Sequence, residues 1–185
     1  PGAALQAALG WLLRSGLPQA AGEEARSRLL RSGALVVDGL APEGRHASQI
    51  QDALEGYFAE QQQKGGNSAQ VTEANGLVDA VLFGGLARHL GIDHPKFAAI
   101  RLRVLRRLQK PTTPPVVQSA LADALVPLLE PDPSAIEEFS KSFLEALQAP
   151  QEPVRRAGAL GVAAAVRAAG GASALKRLGV MDSVK

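Results

Sequence analysis

The residues best placed to do chemistry are four cations, Arg103, Arg106, Arg107 and Lys110. Steps of three, four and seven residues put them on one face of a helix. Such a face can meet phosphates or an acidic protein surface, and Lys96 and Arg101 stand nearby in sequence. The ordinary reading of a basic run is a solvated face. Contact with an acidic partner is the functional alternative. No aromatic residues interleave with the arginines, so stacking on nucleic-acid bases is not expected. Histidines give a weaker signal. His89 and Asp93 are four residues apart with His94 beside them, a spacing that could begin a metal site but lacks further ligands. They read instead as a helix end, with Asp93 as cap. Arg155 or Arg156 is expected to pair with Glu152.

No phosphate-binding G-x-x-x-x-G-K-S/T, no G-x-G-x-x-G after a strand and no G-x-S-x-G is present. The sequence therefore predicts no catalytic residue, no cofactor, no metal and no small-molecule substrate: not an enzyme. Formal charge is only +2, too small to argue for nucleic acid on its own. Cysteine is absent, which excludes disulfides and suits a reducing compartment. No apolar run reaches the ~20 residues of a membrane span. The chain opens on Pro1-Gly2 and stops just after a new helical pattern, so it reads as a segment of something longer.

The positioning elements are helices. Apolar residues make up 46% of the chain and aromatics only 4%, with Ala and Leu filling the apolar positions, which favours close-packed helices over a sandwich of strands. Helical spacing predicts elements over 3–14, 23–40, 48–63, 71–90, a fifth from the Asp93 cap to the connector at 111–115, then 116–129, 134–148 and 153–169, with a ninth piece beginning over 173–178. Gly16-Leu17-Pro18 is expected to break the first, and Pro127 to kink or end the sixth. Gly170-Gly171 stops the eighth, and 64–68 (KGGNS) is the most flexible loop. On the fifth, Phe97, Ile100, Val104 and Leu108 form an apolar stripe, with the basic face turned away from it.

The helices fall into pairs. Ala25, Val71, Val117 and Val154 occupy equivalent places at intervals of 46, 46 and 37 residues. Two helices per ~40–47 residues is the period of HEAT or armadillo repeats. The fold class read from the sequence is therefore all-α: a right-handed superhelical solenoid of about four HEAT-type pairs over 3–40, 46–91, 95–130 and 134–170, with 171–185 opening another unit. Helices 23–40, 71–90, 116–129 and 153–169 should line its concave side.

Four stretches also carry a resemblance. Residues 81–97, VLFGGLARHLGIDHPKF, resemble a G-x-L-A-K/R-H-L…D-x-P-K-hydrophobic pattern. Residues 111–129, PTTPPVVQSALADALVPLL, resemble P-x-x-x-V-Q…L-x-P-L, and 155–176, RRAGALGVAAAVRAAGGASALK, an R-R/K-G-A-A-x-G…L-K block. RSGALVVDGLAPEG at 31–44 is similar to the helix and loop that precede them. In order and spacing these resemble the large HEAT-repeat translational activator of the general amino-acid control pathway, in the segment before its block similar to elongation factor three. The resemblance implies a cytoplasmic, non-catalytic scaffold that binds translating ribosomes and helps the kinase of initiation factor two alpha detect uncharged transfer RNA. It also implies that the kinase and an ABC-type ATPase partner engage other regions of the full chain. A generic HEAT adaptor, of the transport-receptor or phosphatase-scaffold type, is the alternative that the period alone would support.

Overall fold

Proline decides where several of these helices start. The structure, a computed structural model, describes residues 2–20, 22–41, 46–63 and 69–183. Within it Pro95, Pro115, Pro133 and Pro153 each occupy the first turn of a helix, where the missing N–H has no partner to lose. Helix α1 comprises Gly2–Trp11, a π-helical stretch Leu12–Gly16 and a last turn Leu17–Gln19. It is followed by α2 (Glu23–Leu40) and α3 (Ala47–Gln63). Helix α4 is likewise composite: Ala69–Val78, a π-helical stretch Asp79–Phe83, then Gly84–Ala87. Next come α5 (Pro95–Gln109), α6 (Pro115–Leu129), α7 (Pro133–Ala146) and α8 (Glu152–Ala168). A 3-10 turn, Gly171–Ala174, and a short α9 (Val180–Ser183) close the chain. Among the described residues there is no strand.

Four readings of the sequence need correction. Gly16-Leu17-Pro18 does not break α1; the wider π register carries the chain past the proline ring, which would clash in a regular helix. Helix α4 is not a plain helix over 71–90 but is interrupted at Asp79 and ends at Ala87. Pro127 lies in the final turn of α6, and the helix ends at Leu129, the end expected from the sequence. The piece read over 173–178 resolves into the 3-10 turn and α9. The cap of α5 is His94, whose Nδ1 accepts from the Lys96 amide at 3.2 Å, not Asp93. The loop at 64–68 lies outside the described residues. Gly170 and Gly171 do end α8; both have positive φ, which an L side chain would resist.

Neighbouring helices pack as pairs, α1 on α2, α5 on α6 and α7 on α8, while α3 meets α4 through the stacked rings of Phe58 and Phe83. The even-numbered helices also touch one another in series, α2 to α4, α4 to α6 and α6 to α8. Small residues permit that closeness. A Cβ on Gly84 would sit 2.7 Å from the Ala124 methyl, and one on Gly76 would sit 2.3 Å from Val117. The stripe Phe97, Ile100, Val104 and Leu108 is fully buried as expected, each side chain contributing ~1.5–3 kcal/mol. Gln118, completely buried, links three helices: its Nε2 donates to the Leu108 carbonyl at 3.4 Å and the Pro153 carbonyl at 3.0 Å. A buried amide left without partners would cost ~1–3 kcal/mol, so these bonds fix how α5, α6 and α8 meet. Together α2, α4, α6 and α8 line a groove of about 730 Å³ with a floor of alanine and glycine.

Candidate functional site: the basic face of α5

The four cations do share one face of α5, but that face is divided. Asp79, in the π-helical stretch of α4, is 2% exposed and needs a counter-charge. Arg103 supplies it, donating from Nε to Oδ1 at 2.6 Å, while Arg107 Nη1 stands 3.9 Å from Oδ2. Burial raises the Asp79 pKa above its ordinary value, and the charges of Arg103 and Arg107 oppose that rise. The Arg103 guanidinium also lies over the rings of Phe58 and Phe83, 4.3 and 4.8 Å from their centroids. The expectation of a face turned wholly outward is therefore corrected: Arg103 and Arg107 reach inward and tie α5 to α4. Arg106 and Lys110 are exposed, one helical turn apart. With Ala99 and Leu102 they border a shallow groove of about 540 Å³ whose floor holds Asp79. Its available cations suit an anion.

Arg101, next along the same helix, is also held in place. It pairs with Asp132 at 2.7 Å and stands 5.9 and 5.8 Å from the ring centroids of Phe97 and Phe139. Asp132 also accepts from Ser134 and from the Ala135 amide as cap of α7. The Ser134 hydroxyl first, then Arg101 and the Ala135 amide, lower its pKa to about 2. The two aspartates thus shift in opposite directions, one governed by burial and the other by hydrogen bonds.

The histidine spacing brings nothing together. His89 Nε2 contacts Asp38 Oδ1 on α2 at 2.7 Å, away from Asp93, and His94 is spent on its cap. Among the described residues no group of three or more His, Cys, Asp or Glu side chains could hold a metal ion. Nor is any described helix long and apolar enough to cross a membrane. The Glu152 pairing is present, with Arg156. Arg155 instead donates to the Ala149 and Pro150 carbonyls at 3.0 and 2.7 Å, closing the loop before α8.

No protein-family model, curated protein or solved structure matches this chain.

Sequence reasoning found the α5 cations but missed Asp79, Phe58 and Phe83 as their partners. One signal was available. Asp79 stands alone among apolar residues in LVDAVLF (77–83), and a carboxylate there demands a cation from elsewhere.

Proposed function

We propose that the chain is a non-catalytic scaffold, a stack of HEAT-type helix pairs that works in translational control at the ribosome. The observation that carries the architectural half is the series of contacts α2 to α4 to α6 to α8 along one groove, with α1 packed on α2, α5 on α6 and α7 on α8, and α3 set against α1. That is the pattern expected when each pair buries its apolar face only against its neighbours. In this reading the even-numbered helices line the concave side and the basic groove of α5 faces outward. The functional half rests on the ordered resemblance at 31–44, 81–97, 111–129 and 155–176 to the activator of the initiation-factor-two-alpha kinase. The kinase and the ABC-type ATPase would be engaged through other regions, in the cytoplasm. Arg106 and Lys110 are the cations on α5 best exposed to touch ribosomal RNA or an acidic ribosomal protein.

Co-sedimentation with purified ribosomes tests this. The wild-type protein should pellet with ribosomes at low salt, and Arg106→Glu with Lys110→Glu should weaken pelleting roughly tenfold with helicity unchanged. Undiminished pelleting of the double variant would remove α5 as the contact surface. Failure of the wild type to pellet would favour the generic adaptor. Arg103 is a poor choice for this experiment, because its reversal would set two carboxylates against each other in the interior.

A further inference from the structure

Where α2 passes α4 and the start of α6, a cavity of about 220 Å³ opens, separate from the basic groove of α5. Its floor is apolar: Leu30 from α2, Leu77 and Val81 from α4 and the half-exposed Val116 from α6. Its wall carries the half-buried Arg26 and Ser27 and the exposed Arg31, all on the side of α2 that borders the cavity, with Glu23 one turn before Ser27. Among the described residues neither arginine is in an ion pair, and Arg26 Nε is buried with no hydrogen-bond partner. Arg28, by contrast, turns to solvent and is already paired with Glu24 at 2.5 Å. A buried guanidinium nitrogen without an acceptor is costly, and such groups call for an explanation, commonly an ion or water that completes them.

We propose that this cavity binds a small aliphatic monocarboxylate. The carboxylate takes the Arg26 and Arg31 guanidinium groups and the Ser27 hydroxyl, and the alkyl tail lies on Leu30, Leu77, Val81 and Val116. Two arginines less Glu23 leave one net positive charge on the wall, which suits a monoanion better than a phosphate dianion. The volume is that of about seven waters, below the range of drug-sized pockets, so the ligand has six to eight non-hydrogen atoms, roughly. Such a group can come from a free short-chain acid or from the C-terminal carboxylate of a peptide ending in leucine. The proposal stands apart from the scaffold reading and does not depend on ribosome binding.

Isothermal titration of the whole protein with acetate, butanoate, hexanoate, octanoate and 1-hexanol tests it. Affinity should rise about fourfold per methylene up to hexanoate and level off at octanoate, where the cavity is full. Hexanol should bind at least ~10-fold more weakly than hexanoate, because it lacks the charge. Arg31→Gln, on an exposed residue, should lower hexanoate affinity roughly tenfold, and Val116→Trp at the mouth should abolish it with helicity intact. Arg28→Gln should change nothing. A peptide ending in leucine that binds more tightly than hexanoate, and loses binding as its amide, would identify a chain terminus as the source. Equal binding of alcohol and acid, no saturation with hexanoate by about 5 mM, or an Arg28→Gln loss equal to that of Arg31→Gln would each overturn the proposal.

Discussion

Asp79 shows how one residue can change the meaning of four others. A carboxylate at 2% exposure is tolerable only with donors aimed at it, and Arg103 is the donor with good geometry. Arg103→Ala should therefore cost about 3 kcal/mol, the low end for breaking a buried pair, because Arg107 stays near. The matching Arg106→Ala should fall within about 0.5 kcal/mol of wild type. Urea denaturation compares them directly, and equal stabilities would dismiss the clamp between α4 and α5. The spacing of Arg103, Arg106, Arg107 and Lys110 was legible as a shared face. Which of them meet water was not, because that depends on a carboxylate 24 positions upstream and two rings on other helices.

At the scale of elements, turn chemistry marked the helix ends well and hid their interiors. Asp132 before Pro133 and the glycine pair after α8 were readable because each satisfies a local backbone requirement. The π-helical stretch of α4 was not, since Ala80, Val81, Leu82 and Phe83 are apolar on every side and leave no period to be broken. Packing notches were equally silent. Gly161 of α8 receives the ring of Phe143 from α7, where an added Cβ would lie 2.3 Å from the ring, and an added Cβ at Gly158 would lie 2.8 Å from the Phe143 carbonyl. Gly161→Ala should destabilise by about 1–3 kcal/mol through overpacking. Gly56→Ala on α3 meets nothing within 4 Å and should stabilise by roughly 0.5–1 kcal/mol through helix propensity. Thermal melts of the two variants should move in opposite directions, and a shared direction would refute the notch.

For the molecule as a whole, the sequence announced an all-helical chain because its apolar residues recur at helical spacing between proline and glycine stops. The same stops separate the consecutive helices α1 and α2, α5 and α6, and α7 and α8, which pack on each other. How the pairs lean on one another was beyond it, because that rests on contacts such as Gly84 against Ala124 and Gln118 bridging three helices. The inward turn of Arg103 and Arg107 also has a thermodynamic consequence on the scale of the whole assembly. A polyanion docked on α5 would displace condensed counterions only where free cations replace them, at Arg106 and Lys110. A plot of log binding constant against log salt should then fall with a slope of about −1.4 to −1.8, half the −2.8 to −3.6 that four cations would give. The two arginines that secure the helix are thereby withdrawn from the exchange of ions that drives association.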